Sequence, residues 1–251
     1  MVVAGCVTLA MALAMPARAG ERVVSLNLCT DQYLLALAPE QAVAVTFLAR
    51  DRELSVMPDR AARVASVRAD AEAVIALRPG LVLAGPWGAR ATLEALERRG
   101  LRVERLEPPR DFDGIRAATR HMAALLGEPA RGEVLLAEME AVLAAVPPRT
   151  ARPAIALEPR GYTAGPGSLR DAVLRAAGLV NAAGGEQLSL EALAARAPVL
   201  LVTAPPPPSP SRATEWLRHP AAAAHPRREV PSALTVCGGP WTARAVALLA
   251  R

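Results

Sequence analysis

From Arg22 onward the chain alternates short apolar runs with helix-period segments. Runs over 22–28, 43–47, 64–66, 81–84 and 102–106 predict strands, and 31–38, 71–77 and 90–99 predict helices. The runs are apolar on both faces, which points to a parallel sheet covered on both sides. The middle of the chain changes character. An amphipathic segment over 112–126 meets the breaker Gly127-Glu128-Pro129, and a second helix over 130–146 ends at Pro147-Pro148. The alternation then restarts. Strands are predicted over 153–157, 199–203 and 228–230, and helices over 168–177, 189–196, 214–218 and 241–250. Residues 205–210 are proline-rich and read as a stiff polyproline loop.

The expected fold is therefore α/β: two lobes with mainly parallel sheets, joined by a long helical backbone. The expected boundaries are 20–108 for the first lobe, 109–150 for the linking helices and 151–251 for the second. In such an architecture a ligand sits between the lobes, at the carboxyl ends of the strands.

Residues 1–19 carry a different pattern. An uncharged apolar run ends in Pro16-Ala17-Arg18-Ala19, the small-residue signature of leader cleavage after Ala19. The run is short for a membrane span. No basic residue precedes it, which leaves room for a longer leader. Val3-Ala4-Gly5-Cys6 offers lipidation at Cys6 as a second reading. Export implies an oxidising compartment, so Cys29 and Cys237 are expected to form one disulfide. Two separate thiols are the alternative.

Composition changes the picture mainly by exclusion. The chain has 251 residues, a formal charge of +5 and 29 basic side chains, none of them lysine. That excludes a Walker A lysine, a Schiff-base lysine and a kinase strand lysine. The arginines are interleaved with acids and form no basic run, so nucleic acid is not an expected partner. No hydrolase or zinc-protease motif occurs. His121, His219 and His225 lack metal-ligand spacing, so no metal residues are assigned. No catalytic residues are assigned either.

Aromatics are 3% of the chain, yet four fall in loops after strands or before helices: Phe47, Trp87, Tyr162 and Trp241. Glycine or proline flanks Trp87, Tyr162 and Trp241, which suits a flat, partly apolar ligand. The candidate ligand-binding set is Asn27, Cys29, Phe47, Arg50, Arg68, Trp87, Tyr162 and Trp241. Arg90 and Arg160 lie in similar loops and would suit an anionic chelate, as would the helix start after Gly165-Pro166-Gly167-Ser168.

Four segments together resemble the periplasmic iron-chelate/cobalamin substrate-binding proteins of ABC importers. They are 22–32 (RVVSLNLCTDQ), 71–84 (AEAVIALRPGLVLA), 161–178 (GYTAGPGSLRDAVLRAAG) and 237–241 (CGGPW). The second follows the family's E-x-I-x-x-L-x-P-D-L-V pattern, with Ile75 displaced by one and Gly80 in place of the aspartate. The resemblance implies a periplasmic, non-enzymatic monomer that captures an iron chelate (siderophore or haem) or cobalamin. It implies no intrinsic cofactor and an ABC transporter permease as partner. By the same resemblance Glu72 and Glu191 are the docking carboxylates, one per lobe. An exported enzyme, or a free-metal-ion binder on the same scaffold, is the alternative.

Overall fold

The computed structural model describes residues 20–148, 150–185, 187–206 and 215–251. The leader and Cys6 lie outside the described residues, as do Thr214 and most of the polyproline loop.

The first lobe is built from β1 (Val23–Ser25), α1 (Leu28–Leu37), β2 (Ala42–Val45), α2 (Pro58–Ala61), β3 (Ala65–Ser66), α3 (Ala71–Ala76), β4 (Leu81–Ala84), α4 (Arg90–Arg98) and β5 (Arg102–Arg105). Its sheet is wholly parallel, in the order β3-β2-β1-β4-β5. Every residue of β1 and β4 is buried, which is why both read as unbroken apolar runs. Asn27 and Asp70 cap α1 and α3 by accepting from N–H groups in their first turns.

Two helices make the link, α5 (Phe112–Leu125) and α6 (Pro129–Ala144). α5 belongs to the first lobe's core through Met122, Ala123 and Leu125. α6 lies tight against it, since a Cβ on Gly132 would stand 2.5 Å from that of Ala123. Ion pairs Arg116–Glu140 and Arg120–Glu133 lace the pair on its exposed side. Exposed pairs of this kind are screened by solvent and add little to stability.

The second lobe contains β6 (Arg152–Ala156), α7 (Leu169–Ala176), β7 (Leu179–Asn181), α8 (Leu190–Ala194), β8 (Leu200–Thr203), α9 (Pro220–Ala223), β9 (Arg227–Glu229) and α10 (Ala243–Leu249). Its sheet is also parallel, in the order β7-β6-β8-β9. The strand β7 and the single-turn helices α2 and α9 have no counterpart in the hydrophobic pattern. They are too short to show a period; in β7 only Leu179 is buried. The predicted 241–250 helix begins as a 3-10 turn, Pro240–Thr242, before α10.

Each sheet starts at its centre, grows to one side and then crosses to the other. The crossing falls between β1 and β4 in the first lobe and between β6 and β8 in the second. Such switch points open a crevice at the carboxyl ends of the strands.

Candidate functional site

The two sheets meet through segments that leave their carboxyl ends. Cys29 follows β1 and is disulfide-bonded to Cys237, which follows β9, with Cα atoms 5.2 Å apart and a sequence separation of 208. Pro109, beyond β5, packs against Gly238, where a Cβ would stand 3.0 Å from the proline ring. Val56, beyond β2, touches the apolar clusters of both lobes. These contacts join the two lobes at the carboxyl ends of both sheets, the side on which switch points of this kind open a crevice, and the strand-end loops leave from that same side.

Phe47 follows β2 and is 67% exposed; Trp87 follows β4 and is 76% exposed. Tyr162 follows β6 in the other lobe and is 53% exposed. Large aromatics held this far out of the core need a local frame. For Tyr162 the frame is a pair of isolated bridges, Leu157 to Thr163 and Tyr162 to Gln187. The Tyr162 carbonyl also accepts from Glu158 N at 2.7 Å. Glu158 is ion-paired to Arg170 at 2.5 Å, and burial lowers the pKa of that guanidinium. Arg160, at the turn before Tyr162, takes a left-handed backbone (φ 61°) and is exposed.

Asn27 serves the frame on the first lobe. Its Oδ1 accepts from Cys29 N at 2.8 Å, and its amide sits 2.6 Å from where a Cβ on Gly85 would be. Only glycine at 85 lets the Trp87 loop pass this close. Arg50 is exposed and donates to the Val64 carbonyl at 2.7 Å. Arg68 is exposed, and its side chain has no hydrogen bond or ion pair among the described residues. Arg90 is paired to Glu94 at 2.8 Å.

Trp241 departs from expectation. It is only 6% exposed and lies in the first lobe's apolar core, its ring centroid 5.4 Å from that of Tyr33. Its Nε1 donates to the Cys237 carbonyl at 3.2 Å. It lines a groove of about 630 Å³ between α1, α2, α6 and α10, to which Phe47, Trp87 and Tyr162 do not contribute. The physical reason is the disulfide, which draws 237–241 down into the core. Cys29 is likewise committed, since a bridged sulfur offers no thiolate to a ligand.

The sequence reading missed the buried polar layer under the crevice. Asp31 is fully buried, and its carboxylate accepts from Thr46 N and from Thr46 Oγ1. Burial raises its pKa to about 6 against the lowering effect of Ser25 and Thr46. Tyr33 donates to the Gly238 carbonyl at 3.1 Å, and burial pushes its phenol up to about 12. Asp31 opens the helix predicted over 31–38, and nothing in its sequence neighbours marks it for burial.

Among the described residues no three His, Cys, Asp or Glu side chains are grouped to hold a metal ion. His121 pairs with Glu104 at 3.0 Å on the surface of α5. No described helix is long and apolar enough to cross a membrane.

Residues 23–226 match the family model described as periplasmic binding protein, and the chain belongs to that family. A cobalamin-binding protein of Halobacterium salinarum is 31% identical over 201 residues, covering 73% of this chain and 53% of the relative. The chain thus spans about half the length of the curated relatives it matches. Among solved structures, a periplasmic heme-binding protein from Roseiflexus sp. RS-1 in apo form is 25% identical. It superposes with a TM-score of 0.71 over 92% of this chain and 96% of its own. A possible iron-binding periplasmic solute-binding protein from Staphylococcus epidermidis ATCC 12228, 19% identical, shares the fold. Its TM-score is 0.74 over 92% of this chain and 97% of its own. The class is that of the periplasmic binding proteins, here with two α/β lobes, each built on a parallel sheet.

Proposed function

We propose that this chain captures an iron chelate (siderophore or haem) or cobalamin in the crevice between its lobes and delivers it to an ABC transporter permease. The observation that carries the reading is the trio Phe47, Trp87 and Tyr162. Three of the chain's few aromatics stand exposed at strand carboxyl ends, two from one lobe and one from the other. Exposed aromatic faces of this kind suit a large, flat, partly apolar ligand. Arg68, exposed beyond β3, suits a propionate or other anionic edge. The cobalamin-binding and heme-binding relatives support the same ligand chemistry.

Delivery is supported by Glu72 and Glu191. Each is exposed, and each is the second residue of a helix that precedes a crossing strand, α3 before β4 and α8 before β8. Two carboxylates in equivalent places on the two lobes suit a permease surface that presents one cation to each. Glu191 is held ionised by its own backbone and Ser189. In this reading the leader is cleaved after Ala19, the protein works in the periplasm as a monomer, and it binds without turnover.

The test is tryptophan-fluorescence titration against cyanocobalamin, hemin and a panel of ferric siderophores. Saturable quenching by one of them at submicromolar concentration is expected. Trp87→Ala or Tyr162→Ala should weaken it about tenfold or more, the usual cost of removing an aromatic anchor. Absence of saturation with every probe would overturn the reading.

A further inference from the structure

Thr46 stands immediately before the exposed Phe47, at the entry to the 3-10 turn Phe47–Arg50. A threonine there ordinarily turns its hydroxyl to cap the N–H groups that follow. This one makes no cap bond. Its hydroxyl turns inward and donates to Asp31 Oδ2 at 2.5 Å, and its N–H reaches both carboxylate oxygens at 3.2 Å. Asp31 is rooted on α1, in the fully buried layer beneath the crevice. One carboxylate therefore fixes both the backbone and the side chain of the residue that aims Phe47.

The groups around Asp31 are neutral. Ser25 faces it from β1 and Thr46 from the segment after β2, while Thr30 neighbours it on α1 and bonds to Ser25 at 2.8 Å. Tyr33 on α1 turns to Thr119 of α5 and to Gly238. Arg50 on the 3-10 turn turns to the Val64 carbonyl, and His121 on α5 is exposed against Glu104. From β4 only apolar residues are buried against the layer.

We infer that Asp31 is a positioning residue: its carboxylate pins Thr46 and so sets the ring of Phe47 as the first lobe's side of the ligand crevice, a setting released when Asp31 takes up a proton. The inference rests on the crevice reading above. The step is a single proton transfer from solvent to a carboxylate oxygen. That oxygen turns from acceptor to donor, so the charge-assisted bond from the Thr46 hydroxyl gives way to a weaker neutral one and the hold on Thr46 loosens. Burial holds the pKa of Asp31 near 6, which puts the release just below neutral pH.

The chain has two phenylalanines, Phe47 and Phe112, so ring-labelled phenylalanine gives a two-residue NMR spectrum with its own control. Between about pH 5 and pH 8 the Phe47 signal should move with the midpoint of Asp31, while Phe112 stays still. In Asp31→Asn the Phe47 signal should no longer titrate. Thr46→Val, which keeps the N–H but loses the hydroxyl, should also abolish most of the movement, and it decides the matter if Asp31→Asn does not fold. Retention of hemin or cyanocobalamin should weaken about three- to tenfold in Asp31→Asn, the scale of one lost hydrogen bond. The double variant with Phe47→Ala should bind no more weakly than Phe47→Ala alone. A Phe47 signal that ignores pH, or additive losses in the double variant, would overturn the inference. Should the native chain bind neither probe, the crevice reading falls by itself, and the Phe47 titration still upholds or overturns the role of Asp31.

Discussion

Trp241 packs against Tyr33, their ring centroids 5.4 Å apart and their planes tilted by 55°. One residue comes from the end of the chain and the other from the first helix, yet both lie in the same core. The Tyr33 hydroxyl reinforces the junction by donating to the Gly238 carbonyl. Residues 237–241 are thus a strap that follows the second sheet in sequence and completes the core of the first lobe.

Trp241→Ala should therefore act on stability. Loss of a buried indole typically costs about 3–5 kcal/mol. Urea unfolding should show a midpoint shift of that size, with chelate affinity little changed well below the transition. An unchanged midpoint with lost affinity would return Trp241 to the ligand site.

The disulfide ties the same strap to the end of β1. Cross-linking residues 208 apart constrains the unfolded chain strongly, and removing a native bridge typically costs about 2–5 kcal/mol. The double variant Cys29→Ser with Cys237→Ser should unfold at correspondingly lower denaturant. Titration of denatured, unreduced mature protein, which begins after Ala19, should find no free thiol; two would contradict the bridge.

Asp31 gives stability a pH dependence of definite sign. Its pKa is about 3.8 when solvated and about 6 when folded, so the folded state holds the proton more tightly. Its stabilising contribution is present below about pH 4 and is lost as pH rises through about 6. A shift of this size corresponds to roughly 3 kcal/mol. Asp31→Asn should flatten that slope in urea midpoints measured across the range, and an equal slope in both proteins would exclude Asp31 as its source.

Glu72→Arg combined with Glu191→Arg should abolish uptake in cells while leaving the affinity of the purified protein for its chelate unchanged. Both side chains are exposed, so the fold should tolerate the change. A fall in chelate affinity would assign them to the crevice or the fold.

The exposure of three of the four loop aromatics was legible because they sit where the hydrophobic rhythm stops. Phe47, Trp87 and Tyr162 follow apolar runs that could only be strands, and the loops after strands are exposed unless something draws them in. Trp241 carried the same local signature and ended in a core. The difference is the bridge at Cys237, a contact 208 residues away that no window of sequence contains. Asp31 was missed for a related reason. A carboxylate's burial depends on which loop folds over it, and its own neighbours do not report that.

The sequence by itself determined the two α/β lobes, the helical link between them and the approximate places of every strand but β7. These follow from local periodicity and from breakers such as Gly127-Glu128-Pro129, which act within a few residues. Only the tertiary structure decided that the chain's end completes the first lobe, that Trp241 is core and Trp87 surface, and that Asp31 grips Thr46. Those outcomes depend on contacts between distant segments, where packing and desolvation override what each residue prefers alone.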